Sequence, residues 1–172
     1  MFLLLLKNYM KWNNLLFSAL FVWLIQLTLS DLLSINSVRP DFCVILILYW
    51  SLSHGRTVGI CSGFLFGLVV DLSGSGIFFG LSPLSYSITG YLAGSLFENH
   101  SRLNPFYFAI TWISILLFQF FIYCSIVYQD LWEIDSQLFL GKWFGTAIYT
   151  LSFVGILQFI YPLNKIINAK SR

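Results

Sequence analysis

Apolar residues run along this chain in long uncharged intervals, 12–30, 42–55, 57–70, 72–97, 103–129 and 143–164, with the charged residues gathered at the breaks. Four intervals are near or above the roughly 20 residues a helix needs to cross a hydrocarbon layer about 30 Å thick. The intervals 42–55 and 57–70 hold 14 residues each, and 14 helical residues rise only about 21 Å. They predict either two short spans with charged ends drawn into the interface or one re-entrant hairpin. Either form gives an all-α integral membrane protein of about six transmembrane helices, as a single transmembrane domain over 1–172. The breaks at His54-Gly55-Arg56, Ser73-Gly74-Ser75-Gly76 and Glu98 to Pro105 are short, so neighbouring spans are expected to form antiparallel hairpins. The longest break, 130–142, mixes Leu131, Trp132, Ile134, Leu138 and Phe139 with acids. It predicts a short helix lying at the outer interface, anchored by Trp132 and Trp143.

Composition agrees with that pattern. The chain is 58% hydrophobic and 9% charged, against about 25% charged in soluble domains, and extramembrane catalysis is not expected. Orientation is read from the basic residues near span ends. Six spans with both termini in the cytoplasm put Lys7, Lys11, Arg56, Arg102, Lys165, Lys170 and Arg172 inside and leave Arg39 and Lys142 outside, seven against two. Lys7 and Lys11 before an apolar run resemble a signal peptide, but no small-x-small cleavage site follows residues 12–30, so a retained first span is expected. Cys43, Cys61 and Cys124 lie inside apolar runs without C-x-x-C spacing, which argues against a disulfide framework or a zinc site.

Gly55, Gly59, Gly63, Gly67 and Asp71 recur at every fourth position. Such a row drifts about 40° per step around a helix and forms a diagonal groove. Glycines matter in lipid because they let backbones approach and gain packing and weak hydrogen bonds. Gly90/Gly94 and Gly141/Gly145 repeat the spacing. Two readings stay open: the groove packs the protein against itself, or part of it receives a partner's helix. Asp71 is harder to place, since a carboxylate in a membrane helix costs about 2.5–3.5 kcal/mol on the translocon scale and demands a partner. Arg39, at about the level of Asp41 where the second span begins, is the expected counter-ion, with capping of the Ser73–Gly76 turn as the other structural reading. A proton relay is disfavoured, because the other span interiors carry no charge.

Arg39-Pro40-Asp41-Phe42, the run ending Leu48-Tyr49-Trp50-Ser51-Leu52, the ladder Gly55-x3-Gly59-x3-Gly63-x3-Gly67-Leu68-x2-Asp71, and Gly76-x3-Gly80-Leu81-x4-Tyr86-x3-Gly90-Tyr91 together resemble the rod shape-determining MreD family. The specific features cover residues 39–91; the rest matches in length and hydropathy. The resemblance implies a bacterial inner-membrane component of the elongation complex that builds peptidoglycan. Its implied partners are a single-span MreC-like protein, with MreB, RodA and a class B transpeptidase in the same complex. It also implies a six-helix fold similar to the substrate-binding subunits of vitamin transporters.

Two function classes stand out. One is a non-enzymatic membrane scaffold, favoured because His54 and His100 fall in loops and no nucleophile has a base at a useful spacing. The other is a small-molecule-binding transporter subunit, for which Asp41, Asp71, Ser73, Ser75 and Tyr86 would supply polar groups at the outer end. A membrane-embedded transferase or protease ranks third, because paired acids within the spans are missing. No enzyme activity, cofactor, metal or nucleic acid is expected.

Overall fold

The computed structural model describes residues 2–35, 38–73, 78–99 and 104–160. These form seven helices: α1 Phe2–Leu32, α2 Phe42–His54, α3 Arg56–Leu72, α4 Leu81–Asn99, α5 Pro105–Val127, α6 Gln129–Ile134 and α7 Ser136–Ile160. Among the described residues the one strand-like pairing is a tight antiparallel bridge between Ile35 and Val38 in the α1–α2 connection. By length and composition α5 and α7 suffice to cross a membrane, while α2 is a shorter apolar helix.

Three boundaries differ from the sequence expectation. Phe78 and Phe79 do not extend a helix; α4 starts only after Gly80, whose φ of 96° breaks the helical path. The break between the two long helices α5 and α7 is shorter than expected, because α7 begins at Ser136 and leaves only the six-residue α6 between them. The Asp135 carboxylate caps that start by accepting from the N–H groups of Gln137 and Leu138 at 3.0 and 3.2 Å. At the N-terminus, α1 begins ahead of the expected span, at Phe2.

The short helix α2 is apolar all round and buried along much of its length, as such a helix must be. Its Cys43, Val44, Ile47, Leu48 and Leu52 form the centre of one core with Phe66, Tyr86, Leu96, Phe108, Leu116, Phe120 and Val154. The outside is apolar too. Phe17, Leu20, Phe21, Phe64, Leu65, Phe144, Ile148 and Phe159 are exposed, which suits a lipid solvent. At the α5–α7 corner, Trp132 packs edge-on against Phe139 with centroids 4.7 Å apart, and Phe121 against Trp143 at 5.3 Å. Trp143 also donates to the Leu117 carbonyl at 3.1 Å. The two expected anchors are thus joined through one aromatic cluster.

Candidate functional site: a polar junction and a glycine crossing

The motif residues converge at the start of α2. An α-helix leaves its first N–H groups without partners, and in hydrocarbon no water supplies them. Here side chains do so. The Phe42 N–H donates to Gln26 Oε1 of α1 at 2.8 Å, and the Val44 N–H donates to the N-cap Asp41 Oδ1 at 3.0 Å. The Asp41 N–H donates to Thr150 Oγ1 of α7 at 3.2 Å. Buried Pro40 brings no N–H that would need a partner. The second Asp41 oxygen accepts from the Tyr86 hydroxyl of α4 at 2.5 Å. One aspartate thus ties α2 to α4 through its side chain and to α7 through its backbone.

Phe42 sits beside Gln26, six residues before the end of α1, so the 13-residue α2 starts about 9 Å back along α1. Tyr149 of α7 closes the same region by donating to the Leu33 carbonyl at 2.9 Å.

The glycine ladder is filled from within. Gly55, at φ 87°, is the whole link between α2 and α3 and turns the chain back on itself. A Cβ built on Gly59 would fall within 3.0 Å of the Gly90 carbonyl, one on Gly63 within 3.0 Å of the Tyr86 carbonyl, and one on Gly67 within 3.0 Å of the Pro83 backbone. From the other side, a Cβ on Gly90 would strike Gly59, and one on Gly94 would strike the Arg56 backbone. Each step up α3 is a step down α4, so the two are antiparallel and in backbone contact at four levels over about three turns. The groove that was open to a partner's helix on spacing alone holds α4 instead. By contrast, nothing lies within 4 Å of a Cβ on Gly141, and Gly145 meets only the Val38 side chain.

The other motif residues are more dispersed. Tyr49 is half-buried and packs against the core. Arg56 lies over the Tyr91 ring, 5.6 Å from its centroid. Gly76, Ser75, His100, Arg102, Lys165, Lys170 and Arg172 lie outside the described residues. Asp71 is buried in the last turn of α3, and its carboxylate bonds to the backbone of the α3–α4 connection. Oδ2 accepts from the Gly80 N–H at 2.6 Å, closing the α3–α4 connection, and Oδ1 has no hydrogen-bond partner. Arg39 is exposed, and its charge acts at the Tyr128 hydroxyl. A backbone N–H satisfies one carboxylate oxygen without the cost of burying a second ion.

Sequence reasoning missed Gln26 and Thr150. Gln26 carried a signal, since an amide inside an apolar helix seeks a partner. Thr150 carried none, because threonine can satisfy itself on its own helix.

No curated protein and no solved structure matched the chain. The family model described as rod shape-determining protein MreD matches residues 7–169. With nearly the whole chain matched, this protein belongs to the MreD family of rod shape-determining proteins.

Proposed function

We propose that the protein is a non-enzymatic scaffold of the bacterial inner membrane that binds an MreC-like single-span protein and supports the complex for peptidoglycan synthesis during elongation. The observation that carries this reading is the family match over 7–169. The six spans are α1, α2, α3, α4, α5 and α7, with both termini cytoplasmic, a topology supported by the seven-to-two basic asymmetry. MreB, RodA and a class B transpeptidase belong to the same assembly.

The helix crossing bears on how a partner docks. Because α4 occupies the ladder of α3, a partner's helix packs on faces other than that groove. Affinity purification of the tagged full chain in mild detergent, with mass spectrometry of the copurified proteins, tests the reading. An MreC-like protein should be the main partner. Recovery of an ATPase complex of the transporter type in its place would overturn the scaffold and favour the transporter subunit.

A further inference from the structure

The outward side of α3 is short for a membrane. Gly59, Gly63 and Gly67 turn one side of the helix to α4, and Ile60, Phe64, Leu65, Val69 and Leu72 on the other are exposed. This apolar band is bounded by exposed Thr57 and Ser73. The distance between those two along the helix is about 24 Å, against roughly 30 Å for the hydrocarbon core of a bilayer. Tilting α3 would only lower that figure. By contrast α5 covers about 30 Å between exposed Phe106 and exposed Ile126.

Two features keep α3 from making up the difference. A short span can be extended when a terminal arginine reaches out to the headgroups. Arg56 does not reach that way. Its backbone lies against Gly94 of α4, while its guanidinium sits over Tyr91, 5.6 Å from the ring centroid and one turn nearer the middle of α4. The glycine contacts also fix α3 against α4, and the bond from the Gly80 N–H to Asp71 closes the link between them. Neither end of α3 can move outward without parting the pair. Where a helix cannot lengthen, the lipid beside it adjusts.

We propose that the exposed face of α3 docks phospholipid acyl chains of short reach, and that the bilayer against it is thinned to about 24 Å while the α5 side keeps the ordinary thickness. The occupant is lipid because this face carries Phe64, Leu65 and Val69 in place of the small residues that let helices meet. Its Arg56 end is positive, which suits the phosphate layer of a phospholipid. The inference rests on the six-span reading, in which α3 crosses the membrane, and goes beyond the scaffold: a local step in thickness favours neighbours of like thickness.

The full chain, in a background lacking the three native cysteines, carries one nitroxide at a time at positions 57, 60, 65, 69 and 73 of α3 and at positions 106, 110, 118 and 126 of α5. In dioleoyl phosphatidylcholine vesicles, electron paramagnetic resonance compares relaxation by oxygen, which enters hydrocarbon, with relaxation by a nickel chelate, which stays in water. The balance should pass from water to hydrocarbon and back within about 16 residues on α3 and about 20 on α5. A hydrocarbon reading at 57 or 73 would overturn the proposal, since the bilayer would then keep its thickness beside α3. Spin–spin broadening with low oxygen access at 65 would overturn it too, by showing a second copy on the face. Topology is read separately: in intact cells an impermeant thiol reagent should reach a cysteine at 73 and not one at 57. Labelling of both would make α2–α3 a re-entrant hairpin and overturn the six-span reading together with the thinned face, whereas a hydrocarbon reading with 57 protected and 73 labelled overturns the thinned face alone.

Discussion

A single methyl group at Gly59 should unsettle the protein more than the same methyl almost anywhere on α7. In Gly59→Ala the new Cβ would lie within 3.0 Å of the Gly90 carbonyl and of Ser51 Oγ. Ser51 is held by its own bond to the Ile47 carbonyl at 2.6 Å, and the Gly90 carbonyl belongs to helix backbone. Neither yields easily, so restoring an ordinary contact of 3.4 Å or more requires α3 and α4 to part. Overpacking of this kind costs about 1–3 kcal/mol. The upper end applies, since the paired contacts at Gly63, Gly67 and Gly94 loosen together. Alanine returns up to about 1 kcal/mol as a better helix former than glycine. The net expectation is a loss of about 2 kcal/mol. Gly141→Ala is the control: its Cβ meets nothing within 4 Å, so it should be neutral or stabilise by up to about 1 kcal/mol. Equilibrium unfolding in mild detergent, with membrane abundance alongside, reads both. Equal stability of the two variants would refute the claim that α3 and α4 touch backbone to backbone.

The same geometry gives three further outcomes. Tyr86→Phe removes the hydroxyl that Asp41 accepts from and should cost about 1.5–3 kcal/mol; combined with Asp41→Leu it should cost less than the sum, and strict additivity in a double-mutant cycle would mean the bond is not made. Asp71→Leu removes the oxygen that accepts from the Gly80 N–H and should destabilise by about 1–3 kcal/mol more than Asp71→Asn, which keeps an acceptor; equal losses would mean that bond is not made. For topology, a cysteine placed at position 136 in a background lacking the three native ones should react with a membrane-impermeant thiol reagent in intact cells while one at 56 stays protected, and labelling at 56 would reverse the assignment of the α2–α3 turn.

What the sequence determined by itself was everything set by the solvent and by local geometry. Long uncharged intervals imply helices in hydrocarbon whatever they pack against, and each interval falls mainly on one helix, although α1, α4 and α7 start elsewhere than the intervals do. The glycine spacing announced a close helix crossing, since only glycine allows backbones to meet, and Gly55–Gly67 against Gly90 and Gly94 is that crossing. The cost of a membrane carboxylate likewise marked Asp71 as a residue in need of a partner.

Only the tertiary structure decided who the partners are. The two readings of the ladder had identical spacing, and they differ only in whether the opposing backbone belongs to this chain. Asp71 accepts from Gly80 because the chain breaks its helix there at φ 96°, a backbone event that hydropathy does not record. Asp41 meets Tyr86, 45 positions away, and Thr150, 109 away from the N–H it receives. Spacing along one helix predicts neighbours three or four residues apart. Contacts between helices depend on how deeply each one sits, and α2 is set back beside Gln26 because its first N–H groups must find oxygen inside the bundle.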